Sequence, residues 1–322
     1  MGGKLELAIA ILNGAIGDYL DRTKNGLRTE LSLVRRGELV PLEKGAFARA
    51  FPEASPRVVV FVPGLMCTED VWELPDRTGS YPAFVERDLG VTALTVRYNT
   101  GRSIPHNGVD LDLWLTELVG TYPVPLEEIM LLGFSMGGLV VRSACHFAKT
   151  MANGSSTWLP LVSRCVYVGT PHRGAPLERA GRVLSNVLRA IPDPYTRLAA
   201  DLANLRSAGV KDLGDADLRH EDAATRVSHL ALKDPAHPVP LLPEIDHYLV
   251  AGTLSPEPFL AELFGDSLVP VTSGTFSRKG DVPIAPSRVK LFPGLSHMTL
   301  AHHPLVYEAV RAFLDSKLGE GR

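Results

Sequence analysis

Six short runs of apolar residues recur along the chain, and stretches with apolar residues at helical spacing lie between them. The runs cover residues 57–64, 91–98, 127–135, 164–171, 246–253 and 287–292. Continuous apolar runs of this length are typical of parallel strands that are buried on both faces. Helical patterns flank the third run at 110–119 and 137–151. The alternation of strand and helix predicts an α/β fold with a mostly parallel sheet between layers of helices.

Residues 1–56 precede this series and carry two weaker patterns. The segment 27–42 could form an antiparallel hairpin at the sheet edge, turning at Arg36 and Gly37. Residues 5–19 are apolar, but acidic residues interrupt them and no small-residue cleavage site follows, so we expect an uncleaved surface helix. Its apolar stripe is predicted to comprise Leu5, Ala8, Ile9, Leu12, Ala15, Ile16 and Tyr19.

Residues 57–322 form the predicted α/β core, and the strand pattern is interrupted within it at about 173–245. The segments 177–191 and 195–209 carry helical periodicity there. We predict a helical insertion, which could cover a pocket as a lid or could be helices docked on the core.

Composition excludes several classes of protein. The 322 residues are 45% hydrophobic and carry a net charge of −3 without long runs of one sign, which predicts a globular protein that does not bind nucleic acid. Three cysteines without paired spacing favour buried free thiols over disulfides or a zinc site. No stretch is long and apolar enough to span a bilayer, so a cytoplasmic location is expected.

The segment GFSMGG at 133–138 places a serine where a predicted strand ends and a predicted helix begins. A sharp strand-to-helix turn crowds the positions two before and two after its corner, which explains Gly133 and Gly137. The turn would expose the hydroxyl of Ser135 and direct the amide of Met136 toward an oxyanion formed beside it. Ser135 is therefore the predicted nucleophile.

A tetrahedral oxyanion requires a second donor, usually from the loop after an earlier central strand. The segment FVPGLMCTEDVW at 61–72 occupies that place. We expect the backbone amide of Leu65 to be this donor.

A nucleophilic serine also needs a base, which should lie near the carboxyl edge of the sheet. His297 follows the last predicted strand, within FPGLSHMTL at 292–300. His302 and His303 are its rivals, but they adjoin Pro304 at a predicted helix cap. His172 ends the fourth strand, and we expect it to line the pocket.

The acid that orients the base should lie between the fifth strand and His297. Asp266 in FGDSLVP fits this position, whereas Ser267 beside it is interpreted as a turn residue despite the GDSL motif it completes. The rival acids are Asp246, Glu257, Glu262 and Asp281.

With Ser135, Asp266 and His297 in this order, the chain resembles the α/β-hydrolase superfamily. Within it, GFSMGGLVVRS, VGTPHRGAP, GDSLVP and the late Ser-His resemble lipase-like esterases akin to GPI inositol-deacylases, over roughly residues 57–310. The resemblance implies an α/β-hydrolase fold with a catalytic triad and with Leu65 and Met136 as oxyanion donors. Such enzymes usually carry histidine before the glycine of the oxyanion loop, where this chain has Pro63.

The expected activity is hydrolysis of carboxylic esters through an acyl-enzyme, with a small-molecule or lipid ester as substrate. The apolar insertion favours a lipophilic acyl group. Neither a metal nor an organic cofactor is expected. A thioesterase or acyltransferase would use the same triad, and a hydrolase-like binding protein without turnover is the alternative from another class.

Overall fold

An eight-stranded, mostly parallel sheet forms the centre of the computed structural model, which describes residues 2–150, 155–172, 239–253 and 284–315. The strands are β1 (Ser32–Arg35), β2 (Glu38–Val40), β3 (Arg57–Val62), β4 (Thr92–Arg97), β5 (Glu128–Phe134), β6 (Val162–Val168), β7 (Asp246–Thr253) and β8 (Val289–Pro293). Their order is β2-β1-β4-β3-β5-β6-β7-β8, and only β1 runs antiparallel to its two neighbours.

Helices cover both faces of this sheet. They are α1 (Gly2–Arg22), α2 (Lys44–Ala50), α3 (Tyr81–Leu89), α4 (Ile104–Thr121), α5 (Met136–Thr150), α6 (His297–Leu300) and α7 (Pro304–Asp315). Along β3, Val58 and Val60 pack into the core under α1, α2, α4 and α5, whereas Val59 and Phe61 pack into a second core under α3 and α7. Burial on both faces explains why the strand is apolar without alternation. The predicted fold class is confirmed.

The chain reverses its direction of travel across the sheet next to β3. After β3 it continues to β4 on one side, and then crosses back to form β5 on the other side. The loops that follow β3 and β5 therefore diverge, and a crevice opens between them at the carboxyl ends of the strands. These are the loops that contain Leu65 and Ser135.

The hairpin at the sheet edge pairs Ser32–Arg35 with Glu38–Val40. Its turn residues, Arg36 and Gly37, both have positive φ, at 53° and 82°. Two consecutive left-handed residues give the backbone twist that suits a two-residue hairpin loop.

The predicted apolar stripe of α1 matches the buried face only in part, since Ala15 is in the core and Ile16 packs against it. Leu5 and Tyr19 are 59% and 51% exposed, whereas the buried positions include Asn13 and the neighbouring glycine, Gly14. The helix is also not a simple surface helix, because it bends at Ile16 and packs closely on two loops through small residues. Periodicity of large apolar residues does not detect a face of this kind.

No helix within the described ranges combines the length and hydropathy that crossing a bilayer requires. The predicted insertion at about 173–245 lies outside the described residues except for 239–245, as do Asp266 and Ser267.

Candidate active site

Ser135 is the single residue between β5 and α5, and its backbone has φ of +53°. This left-handed conformation is uncommon for a residue with a side chain. The amide of Ser135 donates a hydrogen bond of 2.8 Å to the carbonyl of Val168, at the end of β6. This hydrogen bond fixes the turn after β5 to the end of β6, and the predicted sharp turn is present.

The glycines around Ser135 lie where backbones approach each other. A Cβ on Gly133 would lie 2.5 Å from the Cα of Gly138, and a Cβ on Gly137 would lie 2.2 Å from the carbonyl oxygen of Val62. Both contacts are with backbone atoms, which cannot move aside as a flexible side chain can. The spacing GFSMG is therefore a packing requirement of this turn.

The loop after β3 contacts this corner directly. A Cβ on Gly64 would lie 3.0 Å from the Cβ of Ser135 and 3.2 Å from the carbonyl oxygen of Phe134. The hydroxyl of Tyr98 donates a hydrogen bond of 2.8 Å to the carbonyl of Pro63. Pro63 has no polar side chain, but its backbone carbonyl anchors the loop to Tyr98, the residue that follows β4.

Leu65 follows Gly64, the residue that contacts Ser135, and Met136 directly follows Ser135 in the chain. Met136 is the first residue of α5, so its amide has no acceptor within the helix. Among the residues that the structure describes, neither this amide nor that of Leu65 donates a hydrogen bond to an acceptor. Two amides with these properties beside a hydroxyl can stabilise negative charge that develops there.

His297 is the first residue of α6 and is almost fully buried, with 3% exposure. Its ring packs on Phe134, the residue before Ser135, with 5.0 Å between ring centroids. A Cβ on Gly169 would lie 3.1 Å from Cε1 and 3.2 Å from Nδ1 of the same ring. Since Gly169 follows Val168, the acceptor of the Ser135 amide, the histidine and the serine share the same immediate neighbours.

The rival histidines have structural contacts. Nδ1 of His302 lies 3.4 Å from the carbonyl of Val71, and burial lowers the pKa of its imidazole. Nδ1 of His303 accepts the amide of Leu305, in the first turn of α7, at 3.2 Å. The hydroxyl of Tyr81 binds the backbone on both sides of His303, donating to its carbonyl at 2.8 Å and accepting from its amide at 3.0 Å. His303 therefore caps a helix.

The predicted acid, Asp266, lies outside the described residues, as do Glu257, Glu262 and Asp281. The remaining rival, Asp246, opens β7 at the amino end of the strand. It pairs with Arg288 at 2.8 Å. Asp246 therefore lies at the end of β7 opposite to the end that Ser135 occupies on β5.

His172 follows β6 and is buried beside Arg142 of α5. Nη1 of Arg142 donates to Nδ1 of His172 at 3.1 Å, and Nη2 donates to the carbonyl of Val239 at 2.5 Å. Burial, together with the charges of Arg142 and His247, lowers the pKa of His172 well below 6.5. Sequence analysis missed Arg142, although a lone cation inside the apolar segment LVVRSAC was a signal for it.

Within the described ranges, no group of three or more His, Cys, Asp or Glu side chains is arranged to hold a metal ion. The three cysteines are buried free thiols.

Neither a protein-family model nor a curated protein sequence matches this chain. Solved structures do match it. A lipase of Bacillus licheniformis, BlEst2, in its mature form shares 18% identity and a TM-score of 0.51, over 81% of this chain and 94% of the lipase. The propeptide form of the same lipase gives 16% identity and a TM-score of 0.52, over 82% of this chain and 52% of the longer protein.

These similarities, with the observed strand order, show that the chain has the α/β-hydrolase fold. At this level of identity they establish the fold alone. The narrower resemblance to GPI inositol-deacylases stays a prediction.

Proposed function

We propose that this protein is a serine hydrolase that cleaves carboxylic esters. Ser135 is the nucleophile, His297 is the general base, and Asp266 orients the imidazole. The amides of Leu65 and Met136 form the oxyanion hole.

The observation that carries this proposal is the environment of Ser135. A serine at φ of +53° is fixed by close backbone packing. The ring of His297 packs on Phe134, the residue before Ser135, and Gly64 of the neighbouring loop contacts Ser135. A strained conformation of this kind persists only where the surroundings impose it, and such positions cluster at functional sites.

The reaction would begin with attack of Ser135 Oγ on the ester carbonyl while His297 accepts the hydroxyl proton. The carbonyl oxygen becomes negatively charged between the two amides. The C–O bond to the alcohol then breaks, and the imidazolium returns its proton to the leaving alcohol. Water repeats the attack on the acyl-enzyme, with His297 again as base, and the carboxylic acid leaves.

A lipophilic acyl group is the proposed substrate class. The segment at about 173–245 supports this choice, because its helical periodicity would give an apolar face between the strands that precede and follow it. Hydrolysis of p-nitrophenyl esters of increasing chain length would measure the preference as kcat/KM.

Labelling with a fluorophosphonate followed by peptide mapping tests the nucleophile. This reagent phosphonylates a serine that is activated by a base and an oxyanion hole. We expect the label on Ser135 in the folded protein and none after heat denaturation. Absence of label on the folded protein would refute the hydrolase and favour a binding protein with a hydrolase fold.

A further inference from the structure

The N-terminal helix α1 packs directly on the loop that contains Leu65. A Cβ on Gly14 would lie only 2.2 Å from Cγ of Met66, so the absence of a side chain allows the methionine to fit against the helix. Met66 is 1% exposed and has φ of +61°. The residue next to the proposed donor is therefore in the left-handed region, and it is held there from outside its own loop.

A second connection runs through the turn that follows β4. Nδ2 of Asn99 donates to the carbonyl of Gly17 in α1 at 2.9 Å. A Cβ on Gly17 would lie 1.8 Å from Oδ1 of Asn99 and 3.0 Å from the Cα of Gly101. The next residue of this turn, Thr100, accepts the amide of Met66 through its hydroxyl at 3.1 Å. The turn thus bridges α1 and the loop.

We propose that α1 positions the oxyanion loop: its glycine face holds Met66 directly and through Thr100, and thereby keeps the Leu65 amide beside Ser135. This inference rests on the proposed function, because it assigns the loop the task of stabilising an oxyanion. Gly14, Gly17 and Thr100 are positioning residues, which touch neither the substrate nor the reacting atoms.

The contribution of the Leu65 amide depends on preorganisation. An oxyanion donor accelerates the reaction only if it already points at the developing charge, since reorienting it during the reaction would cost the energy that it contributes. A non-glycine residue with positive φ relaxes unless its surroundings fix it. Here the fixing contacts come from a helix more than forty residues away in sequence. Loosening them should lower kcat and leave KM nearly unchanged, because the amide acts on the transition state.

Two variants test this proposal, each with a matched control. Thr100→Val removes the acceptor of the Met66 amide with little change in volume, and Gly17→Ala introduces a methyl group where α1 meets the turn. Thr116→Val and Gly120→Ala are the controls, since Thr116 is exposed on α4 and a Cβ on Gly120 meets no atom within 4 Å.

We expect kcat for a p-nitrophenyl ester to fall about 10-fold to 100-fold in Thr100→Val and Gly17→Ala, with KM within about twofold, as for partial loss of an oxyanion donor. Thr100→Ser, which retains the hydroxyl, should recover most of kcat. The two controls should match the wild type.

Amide hydrogen exchange gives a readout that does not depend on activity. Exchange in the segment 64–67 should accelerate about 10-fold or more in both variants while exchange in β3 and β5 stays unchanged, as for local opening. Wild-type exchange in this segment would overturn the positioning role, whether or not the protein cleaves esters. Faster exchange with unchanged kcat in an active protein would also overturn it. Faster exchange in a protein without esterase activity would instead refute the proposed function and leave the positioning intact.

Discussion

The two ends of the parallel strands are built from different chemistry. At the amino end, charged side chains neutralise each other. Glu128, which begins β5, accepts hydrogen bonds from Arg57 at 2.6 Å, from Ser163 at 2.5 Å and from Arg164 at 3.1 Å. Although burial raises the pKa of this carboxyl, the hydrogen bonds of Ser163 and Arg57 and the charge of Arg164 lower it overall.

The carboxyl end around Ser135 has the opposite character. The residues that follow β5, β6 and β8 include Ser135, Thr170, His172 and His297, which are all buried. The amides of Leu65 and Met136, the proposed oxyanion donors, lack acceptors within the described part of the chain. Buried donors without acceptors reduce the stability of a fold, but they are available to stabilise charge that appears during a reaction. This difference indicates that the amino end contributes stability, whereas under the proposed function the carboxyl end provides the reactive groups.

The largest expected loss of activity distinguishes Ser135 of GFSMGG from Ser267 of GDSL. Ser135→Ala should lower kcat for ester hydrolysis by about 10⁶-fold, because the acyl-enzyme cannot form. Ser267→Ala should retain more than about half of the activity, since a turn hydroxyl contributes little to the barrier. Steady-state hydrolysis of a p-nitrophenyl ester measures both. Loss of activity in the Ser267 variant alone would reverse the assignment.

The next effect compares the proposed catalytic acid, Asp266, with Asp246, which lies at the amino end of β7. Asp266→Asn should lower kcat by about 10⁴-fold, because the imidazole would lose the charge that orients it and stabilises its cation. Asp246→Asn removes the partner of Arg288 and should cost only about 0.5 kcal/mol of stability, with kcat unchanged, as for a partly exposed ion pair. Circular dichroism and initial rates on both proteins measure these changes. If the Asp246 variant is the inactive one, Asp266 is not the acid.

A pH dependence of stability is expected from His247, near the amino end of β7. Burial, with a smaller contribution from the charge of Arg142, lowers the pKa of its imidazole to about 4, despite the hydrogen bond to the carbonyl of Leu242. Between pH 6.5 and 4 the unfolded chain binds a proton that the folded protein does not bind. The free energy of unfolding should therefore decrease as the pH is lowered from 6.5 to 4, by about 3 kcal/mol at most.

Urea denaturation at several pH values from 7 to 4 measures this loss. His247→Gln should flatten the dependence, because glutamine does not titrate in this range. Equal slopes in the wild type and the His247 variant would show that other groups, such as His172, account for the acid sensitivity.

The smallest effect tests the amino end as a purely structural region. Glu128→Gln keeps the shape of the side chain but removes the carboxylate that Arg164, which is 3% exposed, contacts at 3.1 Å. We expect the free energy of unfolding to fall by about 2 kcal/mol, because the hydrogen bonds that Arg57 and Arg164 donate to residue 128 lose the charge of their acceptor. Esterase kcat measured well below the midpoint of thermal unfolding should stay within about twofold. A large loss of kcat without a loss of stability would contradict the division between the two ends.

Much of the fold was predictable because its signals are local. The six predicted strands lie within three residues of their predicted bounds. The inner strands are buried on both faces, which requires apolar runs, whereas β8 at the edge of the sheet is mostly exposed. The corner at Ser135 was predictable for a similar reason: close backbone contacts exclude side chains at Gly133 and Gly137. Ser135 and His297 both lie beyond the carboxyl ends of strands, and this follows from the order of the strands and loops.

Other features depend on contacts that no local pattern encodes. The buried face of α1 was predicted only in part, because Gly14 and Gly17 are buried by their closeness to Met66 and Asn99 rather than by hydrophobicity. The contacts between Arg142 and His172 and between Tyr81 and the backbone of His303 join segments far apart in sequence.

The sequence by itself determined the α/β class, the sharp turn at Ser135 and the order in which the proposed catalytic residues follow the strands. Only the tertiary structure decided which side of α1 is buried, what His302 and His303 contact, and what supports the loop of Leu65. The physical reason is the range of the interactions. Backbone strain and strand burial restrict neighbouring residues and leave a pattern in sequence, whereas a hydrogen bond such as that from the Met66 amide to Thr100 forms only after distant segments have packed together.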